Sequence, residues 1–142
     1  MLKILPRLPD WDRRLARVTE KHLRLPGEWG VSDCLMTAMD AVEAVTGFDP
    51  AAKVRGTYST EQGAAKLLRR RKAETVEEML AKLFPTLPSA FSALRGDLVV
   101  VERNGVLSAG YVCEYEVAVK TETGLAFVGI TEIRSAYQVG AR

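Results

Sequence analysis

A change of hydrophobic period at Pro85-Thr86-Leu87-Pro88 divides the 142-residue chain and limits its possible folds more than any other feature. Before it, apolar residues recur every three or four positions, as in amphipathic helices. After it they fall in short β-rich runs separated by turn residues. Trp11, Leu15, Val18, His22 and Leu25 form one helical stripe that starts near Pro9-Asp10 and is closed by Pro26-Gly27. Ser32 or Asp33 caps a second helix that runs to about Thr46 and stops at Gly47. Cys34, Ala38, Ala41 and Val45 share one face of it. Residues 48–57 read as a loop, Thr60 opens a third helix to about Arg71, and Thr75 opens a fourth to about Phe84. Strands are expected at Asp97–Glu102, Val106–Val112, Tyr115–Lys120, Leu125–Gly129 and Ala136–Val139, with Asn104-Gly105 as a hairpin turn. Helices followed by a run of antiparallel strands imply an α+β fold, read here as one domain over residues 1–142.

Composition narrows the function classes. No apolar run approaches the ~20 residues that span a bilayer, and residues 1–10 lack the apolar core of a signal peptide. Cys34 and Cys113 are too few for a disulfide scaffold, their spacing suggests no metal site, and no cofactor is expected. A reducing cytoplasm is the default compartment for synthesis. The net charge of +2 does not by itself point to nucleic acid, but the charge is uneven. Residues 1–72 carry 14 Lys/Arg against 9 Asp/Glu, and residues 73–142 carry 6 against 9. The excess includes Arg69-Arg70-Arg71-Lys72, which reads as a solvated helix end complementing the helix dipole. No interleaved aromatic series is present to stack bases, so nucleic acid is not an expected partner.

The candidate chemistry lies in Trp29-Gly30-Val31-Ser32-Asp33-Cys34, which delivers a cysteine to the first turn of a helix. The roughly half positive charge at a helix N-terminus favours a thiolate over a thiol. The competing reading is a small, inert, buried side chain. Downstream, Arg95-Gly96-Asp97 leads directly into the first strong strand, where Asp97 is expected to anchor a turn. Cys113 is expected in the core, while Glu114 and Glu116, near a strand turn, are expected to face solvent.

This arrangement resembles the NlpC/P60 superfamily of papain-like cysteine peptidases and amidases. In that superfamily Gly-x-x-Asp-Cys opens the nucleophile helix, Gly-Asp-Leu-Val opens the sheet, and the next strand carries the catalytic histidine in a His-Val-Gly-Ile-like motif. More narrowly, the chain resembles a family of small phage and prophage tail-region proteins related to that superfamily. The matching elements are Trp11, Trp29-Gly30, Asp33-Cys34, Asp40, Thr46-Gly47, Arg55-Gly56-x-Tyr58, Gly63-Ala64, Gly96-Asp97, Gly110, Gly124-Leu125 and Ala136-Tyr137-x-Val139.

The resemblance implies a papain-like fold, with N-terminal helices packed on a C-terminal antiparallel sheet or half-barrel. It makes Cys34 a vestigial or actual nucleophile, and Trp29, Gly30 and Asp33 a binding frame around it. It also places Ser108, in Ser108-Ala109-Gly110-Tyr111-Val112, at the position of the histidine base. Serine accepts no proton usefully near neutral pH, and general acid–base help is worth about 10²–10⁴-fold. His22, the single histidine, precedes Cys34 and belongs to the first helix's apolar stripe. The resemblance therefore implies a tail-associated structural or interaction protein, in the virion tail or in the host cytoplasm during assembly, with other tail proteins as partners. The alternative is an active cysteine peptidase or amidase acting on peptidoglycan through Cys34.

Overall fold

The computed structural model describes residues 1–142. Four helices come first: α1 (Trp11–His22), α2 (Cys34–Thr46), α3 (Glu61–Arg70) and α4 (Val76–Leu83). Five strands follow: β1 (Leu98–Arg103), β2 (Val106–Cys113), β3 (Glu116–Lys120), β4 (Leu125–Val128) and β5 (Ile133–Tyr137). Both halves obey the division at the Pro85–Pro88 breaker.

Three of the helices start where a side chain satisfies an amide that has no partner inside the helix. Asp33 accepts from the Met36 N–H, Thr60 from Gly63 and Thr75 from Glu78. Glu78 reaches back to the Thr75 N–H and completes a capping box. Gly47, at φ +80°, ends α2 in the left-handed conformation that glycine tolerates best. The first helix ends at His22 rather than continuing along its stripe to Leu25. Lys120 of β3 explains this end: its buried ammonium donates to the carbonyls of His22 and Leu25, placing a cation on the negative pole of α1.

The strands form one antiparallel sheet in the order β4-β3-β2-β1-β5. Alternation along them sorts two apolar faces. Leu98, Val100, Ala109, Tyr111, Cys113 and Ala118 join Leu15 and the buried side of α2. Val99, Val101, Val112, Val117 and Val119 face the opposite way, packed with Leu87, Ala90 and Ala93 from the segment after the breaker. A sheet covered on both faces reads as an unbroken apolar run, as Leu98-Val99-Val100-Val101 does.

The last strand differs from expectation. β5 spans Ile133–Tyr137, not Ala136–Val139. The Gln138 N–H is taken by the Pro85 carbonyl and the Val139 N–H by Asp97, so the chain leaves the ladder after Tyr137.

Asp97, directly before β1, is fully buried. Its carboxylate accepts from Arg7 at 3.2 Å, from both terminal nitrogens of Arg142, and from the N–H groups of Leu94 and Val139 at 2.8 and 3.0 Å. One carboxylate thus ties segments from both ends of the chain to the first strand. No helix is long and apolar enough to cross a membrane.

Candidate functional site

Cys34 opens α2, and α2 lies across β2. As a residue Cys34 is half-buried, with its side chain packed against the helix-side core. Burial pushes its thiol up to about 11, and the neighbouring Asp33 carboxylate pushes in the same direction. The backbone N–H groups of Ala109, Leu35 and Cys34 act the other way but do not offset this. The helix N-terminus therefore does not produce the thiolate that sequence position alone predicts. Desolvation of a charge in an apolar contact outweighs a partial charge from the helix dipole.

The base expected opposite the sulfur is also missing. Ser108 pairs with Val101 of β1, and cross-strand partners share a face. Val101 belongs to the face turned away from α2, so Ser108 points away from Cys34. This corrects the expectation that Ser108 fills a base position facing the sulfur. Beside the sulfur β2 turns Leu107 and Ala109 toward the helices, which carry no titratable group, while Tyr111 and Cys113 farther along the same face are buried and the Tyr111 hydroxyl is bonded to Thr19. No side chain makes a hydrogen bond to the Cys34 sulfur.

Asp33 is a brace. Its Oδ1 accepts from the Met36 N–H at 2.9 Å, and its Oδ2 accepts from the Gly30 N–H at 2.8 Å and the Tyr58 hydroxyl at 2.5 Å. Burial, together with the hydrogen bond to Asp33 and its charge, pushes the Tyr58 phenol far above its ordinary range. Tyr58 is therefore a fixed proton donor to Asp33, not a candidate base. Gly30 is closed in by the same loop, since its carbonyl accepts from the Gly56 N–H at 2.9 Å. Trp29 stands in the turn before α2 with 42% of its surface exposed. Of the three residues expected to frame a binding site, only Trp29 offers its side chain to solvent.

A second polar cluster lies farther along α2. Asp40 accepts from His22 Nε2 at 2.7 Å and from Arg55 at 2.7 Å, with Lys21 at 3.6 Å. Arg55 also donates to Asp49 at 2.8 and 3.2 Å. Burial works against ionising Asp40, but the His22 hydrogen bond and the charges of Arg55 and Lys21 hold its carboxyl below the ordinary carboxylate range. An ionised Asp40 requires the proton on His22 Nε2. His22 is 1% exposed, and its Nδ1 has no hydrogen-bond partner. The single histidine is committed to Asp40 and does not act on Cys34. Sequence reading singles out neither this network nor the Tyr58–Asp33 contact. The one signal is the presence of Asp40, Arg55 and Tyr58 among the matched elements.

The geometry makes a measurable statement about the thiol. At a given pH below the titration, a pKa about two units above the usual value leaves about a hundredfold less thiolate. The higher intrinsic nucleophilicity of a more basic thiolate recovers somewhat less than tenfold of that. Iodoacetamide should therefore label Cys34 at least about tenfold more slowly in the folded chain than in the unfolded chain at pH 8. The labelling midpoint should lie near 11. Mass-spectrometric mapping separates Cys34 from Cys113, and a midpoint below 8 would contradict the environment described.

A family model described as a domain of unknown function matches residues 6–139. Comparison with curated proteins and with solved structures returned no match.

Proposed function

The chain belongs to the DUF6950 family, and we propose, from the resemblance of its motifs, that it is a phage tail-associated structural or interaction protein on a degenerate, papain-like NlpC/P60-type frame. The observation that carries the loss of hydrolysis is the environment of Cys34. Its thiol is held protonated by burial, and β2 presents Leu107 and Ala109 toward α2 where a base would be needed. Acyl transfer by cysteine needs a nucleophile and a base within reach of each other. The remaining histidine is bound to Asp40. The tail assignment is supported by the resemblance of the ordered motifs from Trp11 to Val139.

The frame's polar residues support an interaction role in a second way. Asp33, Tyr58, Asp40, Arg55 and Asp97 saturate one another or nearby backbone groups, which holds a rigid surface instead of a reactive cleft. The test has two readouts. Purified wild type and Cys34→Ala are each incubated with peptidoglycan, and both are expected to release no more stem peptide than buffer. Particles and tail intermediates are then fractionated, and the chain is expected to travel with tail proteins. Release that disappears in Cys34→Ala would establish the peptidase reading instead. Absence from every tail fraction would overturn the tail assignment.

A further inference from the structure

The uneven charge of the sequence becomes two separate surfaces in the fold. The first is α3 and its C-terminal end. This helix contributes no fully buried residue, and Lys66, Arg69, Arg70, Arg71 and Lys72 are all exposed. None of them forms an ion pair, and they stand closer together in the chain than the other unpaired exposed cations, such as Arg13, Arg17 and Arg24. Beside the helix lies an open hollow lined by the hydroxyl-bearing Thr57, Ser59 and Thr60 and by Lys66 and Arg70. Such a hollow provides cations and hydroxyl donors for carboxylates, with no carboxylate of its own among its lining residues.

The second surface is the two-residue turn joining β2 to β3. Glu114, Tyr115 and Glu116 project there, Tyr115 being 58% exposed. Tyr115 stacks edge-on against Phe127 of β4 at 5.3 Å, and Ile130 and Glu132 lie on the neighbouring short turn. Glu114, Glu116 and Glu132 form no ion pair, though Arg95 lines a small hollow with Glu114 and the Glu116 carboxylate accepts from the Ile130 N–H at 3.4 Å. This is a convex acidic knob with an aromatic centre. The α3 hollow is its concave, basic counterpart.

We propose that the Glu114-Tyr115-Glu116 turn of one copy docks in the Lys66/Arg70 hollow of a second copy. A contact between two different patches of the same chain is heterologous, so repetition gives a ring if the rotation closes and a filament if it does not. This assembly mode does not depend on the state of Cys34 or on the tail assignment.

Two charge-reversed variants test it by sedimentation velocity across a concentration series at low and high salt. Wild type is expected to associate with rising concentration at low salt and to dissociate at high salt. Lys66→Glu/Arg70→Glu and Glu114→Lys/Glu116→Lys should each weaken self-association by more than about tenfold, because each places like charges across the contact. Mixing the two variants should restore association, since the acidic turn of the first then meets the unaltered basic hollow of the second. That restoration cannot come from a misfolded variant, and thermal melts of each alone check the fold directly. A wild type that stays monomeric at low salt would overturn the proposal. So would self-association that survives either reversal, or a mixture that fails to associate. Salt-sensitive binding of duplex DNA by a monomer, lost in Lys66→Glu/Arg70→Glu, would assign the hollow to a nucleic-acid polyanion instead.

Discussion

Asp97→Ala is expected to destabilise the fold by about 3–5 kcal/mol, the range for removing one partner from a buried ion pair. The carboxylate is fully buried and serves Arg7, Arg142 and the N–H groups of Leu94 and Val139. Alanine removes the acceptor but leaves two guanidinium groups and two amides behind. Burial already lowers the Arg7 pKa below its ordinary value, with Asp97 working in the opposite direction, so losing Asp97 leaves that cation poorly compensated. A domain of this size has only about 5–15 kcal/mol of net stability, so the loss is a large fraction of it. Urea denaturation of wild type and variant measures the effect. Glu102→Ala provides the contrast, because both Glu102 and Arg134 in that pair are half exposed and such pairs contribute about 0–1 kcal/mol. A loss at Asp97 no larger than that would mean that the carboxylate does not hold the chain ends to β1.

Gly30→Ala is expected to cost about 2.5–5 kcal/mol, from left-handed strain of about 1–2 kcal/mol and a damaged charged hydrogen bond worth about 1.5–3 kcal/mol. Gly30 sits at φ +80°, and a Cβ there would lie 2.0 Å from the Tyr58 carbonyl oxygen. Relief requires the 56–58 segment to move, and that segment carries the Tyr58 hydroxyl bonded to Asp33. The variant therefore loosens the brace at the start of α2 as well as straining one residue. Gly56 is the control. Its φ is +74°, yet a Cβ at that position would meet nothing within 4 Å. Gly56→Ala should suffer the conformational strain alone, about 1–2 kcal/mol. Equal urea midpoints for the two variants would refute the steric part of the account.

The positions that sequence reading locates well share a short interaction range. Asp33, Thr60 and Thr75 cap helices through amides three residues away, and Asn104-Gly105 closes a hairpin between immediate neighbours. These rules act within a few residues, so the chain displays them directly. Asp97, expected as a turn anchor, is one, since the Leu94 N–H bonds its side chain and its own N–H bonds the Leu94 carbonyl. Its contacts to Arg7 and Arg142 come from far along the chain and leave no local trace.

Ser108 shows why faces are harder to read than strands. Alternation assigns a face only when one side of a sheet is polar. Here both sides are apolar, and nothing in Leu98–Val101 marks which residues turn to α2. Motif order alone therefore puts Ser108 beside Cys34, while the register with Val101 turns it away. The ends of α1 and β5 fail for a related reason: Lys120 closes α1, and Pro85 and Asp97 draw residues 138 and 139 out of the ladder.

By itself the sequence determined the α+β order, the breaker between its halves, and a cysteine at the start of the second helix. Tertiary structure alone decided the state of that cysteine, the direction of Ser108, the commitment of His22 to Asp40, and the partition of charge into a basic hollow and an acidic turn. Caps and turns are settled by neighbours in the chain. Desolvation and Coulomb interaction depend on what the fold brings from a distance, and around Cys34 they outweigh the local dipole.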